Sequence, residues 1–177
     1  MIFDSHFAPL GVLALGAVFG AVTGLMAVGL VLVYRTTRVV NFAYGAMGGF
    51  GASIGIELYL ARGVPWPLAL LVAVAAGVVT GIAVERLVIR RFARSSRLVL
   101  TVATIGLAQV LGGAEMLVPL AFGQSPLVPA FRTPLSDLQV EIHPLVLTGN
   151  DLLIALVVPV VLAGLSWFLL RTDQGRA

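Results

Sequence analysis

Two histidines, His6 and His143, stand far apart in a chain of 177 residues that contains no cysteine. Neither has a neighbour at ligand spacing, so no zinc-type cluster and no Ser-His-Asp arrangement can be assembled. Without cysteine, thiol and disulfide chemistry are excluded and the redox compartment stays open. All eleven cations are arginine, and no GxxxxGK[ST] phosphate cradle occurs. No catalytic residue and no metal ligand is expected, and any nucleotide hydrolysis must come from another chain. The side chains left to do chemistry are polar groups set within apolar runs: Asn41, Tyr44, Glu57, Gln109 and Glu115.

The elements that position these groups follow from composition. Of the residues, 59% are hydrophobic and 11% charged, and the mean hydropathy is +1.06. Soluble domains carry roughly 25% charged residues, so a water-facing globule of this size has no room to hide the apolar side chains, and the bilayer is the expected solvent. The net charge of +3 does not gather on one face in the manner of a nucleic-acid binder, and no nucleic acid is expected as partner. The N-terminus "MIFDSHFAPL" lacks Lys and Arg and leads into an apolar run too long for a signal peptide, which predicts a retained first helix.

Crossing roughly 30 Å of hydrocarbon takes about 20 apolar residues in a helix. Five runs qualify: Pro9 to Tyr34, Val39 to Leu60, Val64 to Val84, Leu98 to Phe122 and Leu152 to Leu170. Arg35 and Arg38 lie between the first two, Arg86, Arg90, Arg91, Arg94 and Arg97 between the third and fourth, and Arg171 and Arg176 after the fifth. Only Arg62 and Arg132 fall on the other side, nine against two. The positive-inside rule then places the N-terminus outside and the C-terminus in the cytoplasm. The expectation is an all-α, multi-pass protein of about five transmembrane helices in a glycine-rich bundle.

The second run is the odd one. "RTTRVVNFAYGAMGGFGASIG" brings two arginines, an asparagine, a tyrosine and five glycines into otherwise apolar sequence. Asn41 reads as an N-cap, its side chain accepting from a backbone N–H of the next turn. The alternative is that the span begins as a broken or re-entrant element lining a cavity, with Tyr44 as part of that lining or as an interfacial anchor. Gln109 lies eleven residues into the fourth run, near mid-bilayer, where a buried amide either bonds a neighbouring helix or faces a path. Glu57 and Glu115 sit toward the outer ends of their runs. Intramembrane ionisable groups are functional candidates by default, yet both are in reach of the interface, and for Glu57 the nearby Arg62 favours that plainer reading. Pro159 is expected to kink the fifth helix.

Small residues four apart let helix backbones approach in lipid. Gly16, Gly20 and Gly24, then Gly45 and Gly49, Gly51 and Gly55, and Gly77 and Gly81 carry that spacing, predicting a tightly packed bundle. The outer loop from Gly123 to Asn150 holds four prolines before Leu145, and within it "LQVEIH" alternates as a short half-buried strand does. It reads equally as a folded cap or an exposed linker.

At "GLVLVYRTTRVVNFAYGAMGGFGA" the chain resembles the membrane permease subunits of branched-chain amino acid ABC importers, the LivH type. The likeness continues in the arginine-rich "VERLVIRRFARSSRLVLTVATIGLAQVL", in "FGQSPLVPAF" and in the terminal "LLRTDQGRA", four blocks in order along nearly the whole chain. Tyr44 departs from the pattern, since such permeases often carry His in the "NFAxG" block.

The resemblance implies a single transmembrane permease domain over residues 1–177 in the plasma or inner membrane. A second permease subunit, two cytoplasmic ATPase subunits and an external solute-binding protein are the implied partners. Transport would proceed by alternating access, with ATP and Mg on the ATPase subunits and no cofactor on this chain. Asn41, Tyr44, Gly45, Gln109 and Glu115 are then candidates for the translocation path or its motif. Arg86, Arg90, Arg171, Gly175 and Arg176 are candidates for the coupling side. In this family "RTDQGRA" leads into the segment that docks on the ATPase, so the sequence is expected to stop before it. Importers of urea, short amides or sugars remain open, as do a self-contained secondary transporter or channel and a purely structural membrane subunit.

Overall fold

A computed structural model describes residues 8–92, 95–125, 133–142 and 145–171, and divides the chain into two compact units. Residues 30–130 form one; residues 1–29 with 131–177 form the other. Five long helices account for most of the described backbone: α1 (Ala8–Thr37), α2 (Tyr44–Arg62), α3 (Trp66–Val84), α4 (Arg97–Ala121) and α5 (Gly149–Arg171). They coincide closely with the five apolar runs. Four of them, α1, α3, α4 and α5, are long and apolar enough to cross a membrane. The exception is α2, whose glycines, Ser53 and Glu57 lower its hydropathy although its 19 residues would extend about 28 Å.

In the unit of residues 30–130, α2 packs against both α3 and α4. A sharp hairpin joins α2 to α3. Gly63 takes a left-handed φ of 64°, and the Val64 N–H returns to the Leu58 carbonyl at 3.2 Å, closing the helix as a Schellman turn for which glycine has no Cβ penalty. Pro65 and Pro67 then suit the first turn of α3, where backbone N–H groups have no intrahelical partner. Tyr59 and Trp66 meet edge to face across this turn, 5.6 Å between centroids, the kind of aromatic pair that belongs at a membrane–water interface.

Glycine spacing is put to use on α2 and α3. A Cβ on Gly51 would stand 2.6 Å from the Gly77 nitrogen and 2.7 Å from the Ala73 carbonyl oxygen. One on Gly55 would stand 2.7 Å from the Ala69 carbonyl oxygen. Backbone therefore lies against backbone along Ala69, Ala73 and Gly77, a small-residue seam of the kind that joins helices in lipid. Among the described residues nothing comes within 4 Å of the Cβ positions of Gly16, Gly20, Gly24 or Gly81. Spacing makes a helix face narrow but does not supply a neighbour for it.

At its other end α3 runs into a π-helical turn, Glu85–Ile89, with the Arg90 N–H returning to the Glu85 carbonyl at 2.9 Å. Ser96 caps α4 by accepting from the Val99 N–H at 3.4 Å.

In the other unit, the alternating "LQVEIH" forms β1 (Gln139–Ile142), and an unanticipated β2 (Leu145–Thr148) pairs with it antiparallel, Gln139 opposite Thr148. The loop between α4 and α5 is thus a folded element, not a bare linker, in its described part. Thr148 and Asp151 form a reciprocal cap at the start of α5. The Thr148 N–H and hydroxyl donate to Asp151 Oδ2 at 2.9 and 2.7 Å, and the Asp151 N–H reaches the Thr148 hydroxyl at 3.4 Å. Pro159 lies inside α5.

Candidate functional site

The polar groups singled out from sequence meet mainly where α2 enters its unit and along its contact with α4. Between the end of α1 and the start of α2, residues 38–43 are not helical. Arg38 adopts a left-handed φ of 57°, and its N–H closes α1 on the Tyr34 carbonyl at 2.7 Å. The second run therefore begins as irregular backbone, after which α2 is continuous to Arg62.

Asn41 is buried, 5% exposed, but it does not cap α2. The N-cap position is Ala43, which has no side-chain cap, and the first helical bond runs from Met47 N–H to the Ala43 carbonyl at 3.0 Å. Asn41 Oδ1 instead accepts from the Ala43 N–H at 3.0 Å, an Asx turn closed two residues on. The distinction is physical: the asparagine sets the bend leading into the helix and leaves the first-turn N–H groups alone.

Thr104, not singled out from sequence, completes this bend. Its hydroxyl accepts from the Phe42 N–H at 3.3 Å and donates to the Thr101 carbonyl at 2.8 Å. The residue is 1% exposed, and a hydroxyl that both accepts and donates is satisfied in a place closed to water. The available signal was its position in the "TIG" block. Beside it, Ala43, Met47 and Val84 form a small apolar core with Ile89, Leu107, Ala108 and Leu111 packed on it. Tyr44 and Gly45, the first residues of α2, are half-buried.

Further along, Gly49 makes room for Glu115. The Glu115 Oε2 lies 2.9 Å from where a Gly49 Cβ would stand, and the Ser53 hydroxyl donates to the Glu115 carbonyl oxygen at 3.4 Å. One turn beyond Ser53, Glu57 is 4% exposed, and its Oε2 is buried with no hydrogen-bond partner among the described residues. This corrects the reading of Glu57 as an interfacial charge neighbouring Arg62. Arg62 is exposed and its guanidinium lies 5.8 Å from the centre of the Phe122 ring.

Gln109 is not buried. It is exposed on α4, on the side opposite the stripe of Thr104, Leu107, Ala108, Leu111 and Glu115 that meets α2, and has no hydrogen-bond partner among the described residues. It lies close to mid-helix but belongs to a different face from Asn41, Tyr44, Gly45 and Glu115.

The arginine candidates stand apart. Arg90 pairs with Glu85 Oε1 at 3.2 Å across the π-helical turn, both side chains more than half exposed, so the pair adds little stability. Arg86 in the same turn and Arg171 at the end of α5 are exposed. Gly175 and Arg176 lie outside the described residues, as do His6 and His143. Among the described residues no cluster of three His, Asp or Glu side chains is arranged to hold a metal ion.

The arrangement is that of α2 packed against α3 and α4, with polar groups along the α2–α4 contact. Comparison with known proteins bears directly on it. The family model described as "Branched-chain amino acid transport system / permease component" matches residues 12–177. The high-affinity branched-chain amino acid transport system permease protein BraD of Pseudomonas aeruginosa is 30% identical over 174 residues, covering 92% of this chain and 55% of BraD. The chain thus spans about half the length of the curated relative it matches. No solved structure matches it. Residues 12–177 carry the family's pattern from α1 to beyond α5, and the chain belongs to the permease components of branched-chain amino acid transport systems.

Proposed function

We propose that this chain serves in the permease subunit of an ATP-driven importer, translocating branched-chain, aliphatic amino acids delivered by an external binding protein. The family match over residues 12–177 carries this reading, and the name of the BraD relative points to the same cargo. A second permease subunit and two ATPase subunits complete the assembly. ATP and Mg are held by the latter, and this chain makes and breaks no bond.

All five helices cross the bilayer in this reading. α2 is the span with the least apolar sequence, and its place against α3 and α4 spares those faces from lipid. The arginine distribution puts the N-terminus outside and Arg171 inside, in the plasma or inner membrane. The irregular entry at residues 38–43, bent by Asn41 and held by Thr104, then lies at the inner mouth beside Tyr44 and Gly45. The two-state element is the α2–α4 contact, whose polar groups admit more than one packing, against the α2–α3 seam, whose backbone contact does not. Arg86, Arg90, Arg171, Gly175 and Arg176 face the ATPase side.

The test is uptake of labelled leucine, isoleucine and valine by cells lacking their own importers and supplied with the permease that contains this chain and its partner subunits. ATP-dependent accumulation of these amino acids is expected. Accumulation of urea, short amides or a sugar instead would redirect the cargo, and accumulation without the ATPase subunits would favour a secondary transporter.

A further inference from the structure

The outer half of the α2–α4 contact holds hydrogen-bonding capacity that the described residues do not use. Gly49, Ser53 and Glu57 recur every four residues and so share one face of α2, about 6 Å apart per step. α4 meets that face through Glu115, whose carboxylate lies over Gly49 and whose carbonyl oxygen accepts from Ser53 at 3.4 Å. Glu57 continues the same face one turn outward, 4% exposed, with no partner for Oε2 among the described residues. The cation closest to it in sequence, Arg62, sits over the Phe122 ring. A carboxylate oxygen withdrawn from water without a donor is costly and calls for an explanation.

The missing partner has to donate hydrogen bonds or bring positive charge, and it has to be small. A divalent metal is a poor fit, since no three carboxylate or imidazole groups converge among the described residues. An ammonium group fits better: it carries one positive charge and hydrogen-bond donors, the complement of a carboxylate oxygen that lacks a donor among the described residues.

We propose that Glu57, one turn from Ser53 on the same face of α2, receives a small monovalent cation, its source being the ammonium group of an aliphatic amino acid. The assignment of that source rests on the importer reading, and it separates amino acids from urea, amides and sugars, which carry no ammonium. An inorganic monovalent cation has the same charge and is the other source.

The experiment measures the thermal midpoint of the complete, detergent-purified permease with four additives. These are isoamylammonium chloride, the neutral isoamyl alcohol, sodium chloride and potassium chloride, each on wild type and on Glu57→Gln. Isoamylammonium is expected to raise the wild-type midpoint by roughly 2–4 °C near saturation, with no rise from the alcohol and none in Glu57→Gln. An equal rise from sodium or potassium, also lost in Glu57→Gln, assigns the site to an inorganic cation. No rise in wild type, or a rise that survives Glu57→Gln, overturns the proposal. Should Glu57→Gln fail to fold, Glu57→Asp replaces it, with roughly tenfold more isoamylammonium expected at the half-point, about 1.4 kcal/mol; an unchanged half-point overturns the site. Leucine uptake without any ammonium response removes the site and keeps the importer. An ammonium response without uptake of branched-chain amino acids does the reverse.

Discussion

Gly55 of α2 and Ala73 of α3 lie so close that a Cβ built on Gly55 would stand 2.6 Å from the Ala73 Cβ, closer than real carbon atoms come. With Gly51 against Gly77 one turn away, this makes the α2–α3 hairpin a unit whose halves cannot be respaced by side-chain adjustment alone. A contact between backbones is intolerant of added volume in a way that a contact between flexible side chains is not.

Gly55→Leu is therefore expected to lower stability by at least about 1–3 kcal/mol, the usual cost of overpacking. Gly16→Leu, at a position with nothing within 4 Å among the described residues, is the comparison. Thermal melts of the detergent-purified permease read both. Equal midpoints for Gly55→Leu and wild type would show that the seam is not as tight as its geometry.

Thr104→Val keeps the shape of the side chain and removes the acceptor for the Phe42 N–H. The expected cost is about 0.5–1.5 kcal/mol for the lost hydrogen bond, together with reduced uptake, because the bend before α2 loses its tie to α4. Thr104→Ser retains the hydroxyl and should keep uptake near wild type, at some loss of packing. If Val and Ser variants behave alike, the hydroxyl is not what holds the bend.

Gln109→Leu separates path from packing. Gln109 is exposed on α4 and bonded to no described residue, so removing its amide should leave stability within about 0.5 kcal/mol of wild type, as exposed changes do. Uptake is expected to fall about tenfold if the amide lines the translocation path. Transport at the wild-type rate would strike Gln109 from the candidates.

The chain has no cysteine, which makes its topology directly readable. With the N-terminus outside, Ser125→Cys is expected to react with a membrane-impermeant maleimide in intact cells, whereas Ser95→Cys reacts only after lysis. Both serines are exposed, so poor access within the fold does not explain a blank. The opposite labelling pattern reverses the orientation.

Helix positions were legible in the chain because they depend on local chemistry. A run of apolar residues has to satisfy its own backbone in lipid, and α3, expected from Val64 to Val84, is found from Trp66 to Val84. The strand at Gln139–Ile142 was legible for a similar reason, since alternation of period two suits little else. The family likewise showed in four separated blocks, with the match over residues 12–177 agreeing.

Which groups meet was decided by tertiary structure alone. Periodicity places Gly51, Gly55 and Gly16 each on a helix face, but only contact with Ala69, Ala73 and Gly77 gives two of them a neighbour. Charge spacing suggested that Glu57 and Arg62 stand together, yet Arg62 turns to Phe122 and Glu57 is enclosed. Asn41 looked like a cap and proved to be a bend, because the helix begins two residues later than its polar start implied. Sequence spacing determines direction around a helix axis, whereas burial, pairing and orphaned polar atoms depend on what another helix brings to that direction.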